Sequence, residues 1–202
     1  MKGQAGAHYD IDHAEQSSVL LTGGASRRMG FDKASILIES ELLAVRLARM
    51  LREAGWEPTI LGRTPLDGYR FLPDHEVERG PLAALRAFCP SSHLVFVLSC
   101  DVPLFDGAVA RALKSRLGDK EAAIPSIKGR LQPLCGVYCR HAWERLSLVD
   151  SPRIMDWVEA LDVEIVNESD LLRLGVQPEW CRGVNTPSEL KTLLQSAKWA
   201  VE

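Results

Sequence analysis

The chain has 202 residues, 46% of them hydrophobic and 25% charged, with a formal net charge of −3. Those proportions suit one ordinary globular domain, or a domain with a small appendage. The slightly acidic balance excludes a general nucleic-acid or membrane-surface binder, so any basic site must be local, and no apolar run approaches the roughly 20 residues of a spanning helix.

Residues 1–16 hold little that could pack and read as a flexible N-terminal extension, with the folded domain over 17–202. That segment is polar and lacks a charged-then-apolar signal pattern, which predicts a cytoplasmic protein. Strand-like apolar runs follow at 17–22, 58–61, 94–99, 121–125, 134–139 and 163–166, with a shorter one at 69–72. Between them lie helical patterns. In residues 41–54, Leu43, Leu47, Met50 and Ala54 recur at helical spacing before Gly55. Residues 106–117 begin at Asp106 and place Val109, Leu113 and Leu117 on one side, and 153–161 follow Pro152. Thr186-Pro187-Ser188-Glu189 spells a capping box with proline at the first helical position. Alternating strands and helices predict an α/β fold, a mostly parallel sheet covered on both faces. Residues 120–140 break the alternation and leave room for an antiparallel strand.

Cys89, Cys100, Cys135, Cys139 and Cys181 are odd in number and contain no C-x-x-C pair. Cys135 and Cys139 fall on one face of a strand but about 13 Å apart, too far to share a metal ion. They read as free, mostly buried thiols of a reducing compartment. The five histidines show no metal spacing, and no Ser/His/Asp or Cys/His arrangement stands out.

Residues 22–33 read Thr-Gly-Gly-Ala-Ser-Arg-Arg-Met-Gly-Phe-Asp-Lys, directly after Val19-Leu20-Leu21. A buried strand ending in paired glycines, then Arg27, Arg28 and Lys33 in one loop, suits a polyphosphate: glycines let N–H groups approach phosphate oxygens and the cations neutralise charge. Lys33 is followed by Ala34, with no hydroxyl for magnesium, so the loop is not a Walker A motif, and its glycines do not spell G-x-G-x-x-G. Ligands of such folds sit beyond the carboxyl ends of the strands. Asp101 stands where the 94–99 strand ends, so it opens onto the same rim as the glycine loop. A carboxylate there is costly unless it caps a helix or holds a cation, and Asp106 is better placed to cap.

The segment Leu21–Lys33 resembles the signature loop of the MobA-type molybdenum cofactor guanylyltransferases, within the nucleotidyltransferase superfamily. Gly80-Pro81-Leu82-Ala83, Cys100-Asp101-Val102-Pro103-Leu104, Gln132-Pro133-Leu134 and Val184-Asn185-Thr186-Pro187 match the same family in the same order, covering roughly residues 17–195. The resemblance implies a single Rossmann-like three-layer domain of the nucleotide-diphospho-sugar transferase type. It implies GTP and Mo-molybdopterin as substrates, Mg2+ as cofactor, and proteins that deliver molybdopterin or mature molybdoenzymes as partners. By resemblance, Lys33 and Arg27 neutralise the triphosphate and Asp101 holds magnesium. Leu21, Thr22, Gly23, Gly24, Asp74, Gly80, Pro81 and Leu82 line the nucleotide. Gln132, Pro133 and Arg153 face the acceptor, and Asn185 serves both acceptor and metal. Physically, Asn185 reads equally well as a turn residue before the Thr186 cap, Asp74 as a turn residue after Pro73, and Arg28 as a solvated arginine. The chain departs from the family at Gly183, where an asparagine is common, and at Ala84, where glycine is usual. The rivals are cytidylyl transfer, transfer to a sugar phosphate, and a nucleotide-binding regulator without catalysis.

Overall fold

The computed structural model describes residues 16–23, 34, 36–74 and 80–196. Its strands are β1 (Gln16–Leu21), β2 (Leu37–Ile38), β3 (Glu41–Leu42), β4 (Trp56–Gly62), β5 (Arg70–Pro73), β6 (Leu94–Ser99), β7 (Ala122–Ile127), β8 (Arg130–Leu131), β9 (Cys135–Cys139) and β10 (Val163–Asn167). Its helices are α1 (Leu43–Glu53), α2 (Pro81–Ala87), α3 (Gly107–Leu117), α4 (Arg140–Leu146), α5 (Ile154–Glu159), α6 (Glu168–Arg173) and α7 (Pro187–Ser196), with a 3-10 turn over Pro178–Cys181. Seven strands run in the order β10-β7-β9-β6-β1-β4-β5, and β8 pairs with β7. All neighbouring pairs in that path are parallel except those of β9, which is antiparallel to both β6 and β7. The break in alternation at 120–140 is therefore an antiparallel strand inserted into the sheet.

Successive residues of β1 enter different layers, as the period of a strand requires. Leu20 packs among Leu47, Ile60, Phe96 and Leu113, under α1 and α3, while Val19 and Leu21 pack with Leu82, Leu85, Trp143 and Trp157, under α2, α4 and α5. Burial on both faces explains the unbroken apolar strands. The domain is thus a three-layer α/β fold with a mostly parallel mixed sheet.

The local signals act as their chemistry dictates. Asp106 accepts from the Ala108 N–H at 2.7 Å and caps α3. In the capping box, Glu189 N–H donates to Thr186 Oγ1 at 3.2 Å while Thr186 N–H donates to Glu189 Oε2 at 3.1 Å. Gly55, with φ +87°, ends the first helix. One boundary differs from expectation. Residues 41–42 are not helical, because they pair with Leu37–Ile38 in a small hairpin and α1 begins at Leu43.

Candidate functional site

Parallel strands β1, β4, β5 and β6 end on one side of the sheet, and the antiparallel β9 begins there, opposite Leu98 of β6. Two backbone bonds lock this rim. Cys100 N–H donates to the Leu21 carbonyl at 3.1 Å, and Ser99 N–H donates to the Leu134 carbonyl at 3.0 Å. The start of the glycine loop, the segment carrying Asp101 and the turn at 132–134 are therefore neighbours because of the register.

The first cluster contains Thr22, Gly23, Gly62 and Asp74. Thr22 N–H (2.8 Å), Thr22 Oγ1–H (3.3 Å) and Gly23 N–H (3.3 Å) all donate to the Leu61 carbonyl. Asp74 N–H donates to the Gly62 carbonyl at 2.8 Å, and the half-buried Asp74 side chain lies directly over Gly23. A Cβ on Gly23 would stand 2.2 Å from Asp74 Oδ2. A Cβ on Gly62 would stand 2.1 Å from Thr22 Oγ1 and 2.8 Å from the Gly23 nitrogen. At Gly62 the Gly23 backbone demands the glycine, whereas at Gly23 the neighbour is the movable tip of the Asp74 side chain; neither glycine has an unusual dihedral. The Gly23 N–H already bonds the Leu61 carbonyl. The Leu21 carbonyl likewise already accepts from Cys100.

The second cluster surrounds Asp101, which is half-buried. Its N–H donates to Ser99 Oγ at 3.4 Å and its carbonyl accepts from Val184 N–H at 2.7 Å. Gly183 N–H donates to Gln132 Oε1 at 3.2 Å, and Gln132 Nε2 donates to the Arg130 carbonyl at 3.1 Å. A Cβ on Gly183 would lie 3.9 Å from Asp101 Cγ and 3.2 Å from Gln132 Oε1. Gln132 thus occupies the ground an asparagine at 183 would enter. Asn185 is exposed, and its N–H is fixed by Glu189 Oε2 at 2.7 Å. Below them, Cys135 and Cys181 are fully buried. Contact with Cys181, burial and the nearby Asp101 charge push the Cys135 thiol well above its ordinary range.

The third group joins Gly80 to Pro152. Gly80 has φ +104° and ψ 170°, a region essentially reserved for glycine, and precedes Pro81 at the first turn of α2. A Cβ there would lie 3.7 Å from the Pro152 carbonyl. Leu82 is fully buried and packs with Leu85 in the core layer beneath α2. Arg153 is exposed and pairs with both carboxylate oxygens of Asp156, at 2.7 and 3.2 Å. Pro133 is held through its carbonyl by the buried Tyr138 hydroxyl at 2.7 Å. Gly24, Arg27, Arg28 and Lys33 lie outside the described residues. Among the described residues, no three His, Cys, Asp or Glu side chains form a metal-binding group, and no helix is long and apolar enough to cross a membrane.

Residues 18–165 match the model of the MobA-like NTP transferase domain. The chain belongs to that family. A probable molybdenum cofactor guanylyltransferase from Pelotomaculum thermopropionicum is 31% identical over 185 residues, covering 87% of this chain and 90% of that protein. Among solved structures, molybdopterin-guanine dinucleotide biosynthesis protein A from Archaeoglobus fulgidus superposes with a TM-score of 0.73 at 19% identity. That match covers 91% of this chain and 99% of the other. A Mycobacterium tuberculosis protein solved as a manganese complex superposes at 0.57 and 15% identity, over 80% of this chain and 98% of its own. Membership in the MobA-like family makes the chain a nucleotidyltransferase.

Gly62 is the rim residue that sequence reasoning missed. It reads as an ordinary strand-end glycine until the pairing Leu21↔Leu61 sets it beside Thr22.

Proposed function

We propose that the protein transfers the GMP moiety of GTP to the terminal phosphate of Mo-molybdopterin and releases pyrophosphate. The observation that carries this reading is the meeting of Asp101 with Gln132 and the 183–185 segment, one residue beyond the Cys100–Leu21 bond that ties β6 to the glycine loop. A nucleotide laid across Thr22–Gly23 would place its phosphates towards Asp101. The relatives named as guanylyltransferases support guanine and the pterin acceptor.

The reaction joins an acceptor phosphate oxygen to the α-phosphorus of GTP. The bond from that phosphorus to the bridging oxygen breaks, and pyrophosphate leaves with the electron pair. A phosphate monoester has a second pKa of about 6, so the nucleophile is already largely ionised at neutral pH and needs no general base. What the protein must supply is alignment and charge neutralisation. Lys33 and Arg27 serve the triphosphate and the departing pyrophosphate. Asp74 and the backbone of Gly80-Pro81-Leu82 hold the nucleoside, while Gln132, Pro133 and Arg153 hold the acceptor.

Asp101 and the amide oxygen of Asn185 are hard oxygen donors at the same rim, a set that fits magnesium, which binds through one or two carboxylates plus substrate phosphates. Bound there, the cation would offset charge developing on the phosphoryl oxygens. The test is pyrophosphate release with each of the four nucleoside triphosphates, with and without Mo-molybdopterin. Release that requires GTP and the pterin together is expected. Release without the pterin, or only with another triphosphate, would replace this reading with one of its rivals.

A further inference from the structure

Residues 147–153, between α4 and α5, carry Arg153 of the proposed acceptor side, and Val149 is their one hydrophobic side chain packed against the core. Leu148 is 81% exposed, and Ser147, Pro152 and Arg153 are exposed as well. A further hold comes from α2. Arg86, in the last turn of α2, donates from one guanidinium nitrogen to the carbonyls of Val149 and, at 3.2 Å, Ser151. Both of its hydrogen bonds among the described residues go to backbone carbonyls. At the opposite end of α2, Gly80 faces the Pro152 carbonyl. Inside the loop, Ser151 Oγ accepts from the Arg153 N–H at 3.2 Å, donates to Asp156, and Asp156 grips the Arg153 guanidinium.

We propose that Arg86 is a positioning residue: it clamps the 149–153 loop onto α2, so that Arg153 is presented in fixed register with the Gly80-Pro81-Leu82 segment at the other end of the helix. The loop's carbonyls could bond water as well as arginine. What water cannot do is fix the distance from Arg153 to the nucleotide segment. The arrangement couples the two halves of the site through a helix of two turns. Deleting the clamp should therefore weaken acceptor binding, while the GTP segment, anchored by the buried Leu82 and Leu85, keeps its place.

The identity of the acceptor rests on the guanylyltransferase reading; the clamp itself does not. Arg86→Ala in the full chain is expected to raise KM for Mo-molybdopterin about tenfold, the size of one lost charge-assisted hydrogen bond. KM for GTP and kcat should stay within about twofold, and Arg86→Lys, which keeps a donor within reach of the carbonyls, should recover most of the loss. Amide hydrogen exchange without substrates is read in parallel: Arg86→Ala should exchange faster at 149–153 and be unchanged at 81–85. An unchanged acceptor KM, or a parallel loss in kcat and both KM values, overturns the proposal. If the wild-type chain does not turn over the pterin, the reading of the substrate has failed, and exchange decides the clamp alone. Faster exchange confined to the loop then supports it, and unchanged exchange overturns it.

Discussion

Val184 donates its N–H to the carbonyl of Asp101 over 2.7 Å, and this one bond brings a segment 83 positions further along the chain to the end of β6. It fixes the backbone of Asp101 from the side opposite the sheet. It also sets Gly183 against Gln132 and leaves Asn185 at the opening of the rim. The Asp101–Val184 bond is between backbone groups, so a substitution of the Asp101 side chain can be read as chemistry more than as folding.

Asp101→Asn should therefore retain the fold and lose activity. The side chain is half-buried, nearly isosteric with asparagine, and its backbone bonds are untouched. If Asp101 holds the proposed magnesium, removing its charge is expected to lower kcat by about a hundredfold or more. Thermal unfolding should move little. Near-normal turnover at saturating magnesium would remove Asp101 from the metal site.

Gly62→Ala and Gly23→Ala should separate by severity. The new methyl at 62 meets the Gly23 backbone nitrogen at 2.8 Å, which can yield only by moving the loop. Overpacking of that kind costs about 1–3 kcal/mol, and nucleotide affinity should fall with it. The methyl at 23 meets the tip of the Asp74 carboxylate, which can swing aside. Gly23→Ala is then expected to keep most stability yet weaken GTP, because Asp74 is displaced. Calorimetric unfolding and GTP titration on both variants check this, and equal destabilisation would contradict the distinction.

How much of this was legible beforehand follows from the kind of signal each residue carries. Asp106, Gly55 and the Thr186–Glu189 box act within one turn of their own chain, so their patterns read directly. The layers were readable because β1, β4 and β6 are buried on both faces and show unbroken apolar runs. The hairpin Leu37–Leu42 and helices α2, α4 and α6 were missed, being seven residues or fewer and too short for a helical period to declare itself. The roles of Gly62 and Arg86 depend on pairing and docking between distant segments, which no local pattern encodes. The Gly23 N–H has its acceptor, Leu61, on a neighbouring strand for the same reason.

The box at α7 also carries a pH dependence. Backbone N–H donation from Asn185 holds the Glu189 carboxyl below its ordinary value of 4.5, helped by the Thr186 N–H and hydroxyl. A depressed folded value means the stabilisation is fully present above pH 4.5 and is lost as pH falls through the folded value. The difference in unfolding temperature between wild type and Glu189→Ala should be constant from pH 7 to about 5 and shrink below that. Thr186→Ala should cost about 1 kcal/mol, as a lost N-cap does. Because Glu189 also fixes the Asn185 N–H, Glu189→Ala should reduce turnover at pH 7 as well. A temperature gap that persists undiminished at pH 3 would show that the carboxylate charge is not the source.

The last expectation is that GTP is preferred to CTP and ATP. Guanine presents donors at N1 and N2 and an acceptor at O6, whereas adenine reverses the pattern at its six-membered edge. In the proposed reading, backbone carbonyls near Thr22 accept from guanine's donors; the Leu21 carbonyl, already bonded to Cys100, has one lone pair left for the purpose. Leaving a buried acceptor unpaired costs about 1–3 kcal/mol, which corresponds to roughly ten- to a hundredfold discrimination against ATP. Cytosine, a single ring, would leave part of a purine slot unfilled. Measuring kcat/KM for GTP and CTP with the same pterin acceptor decides the matter: a ratio well above one is expected, and a ratio at or below one would assign the protein to cytidylyl transfer.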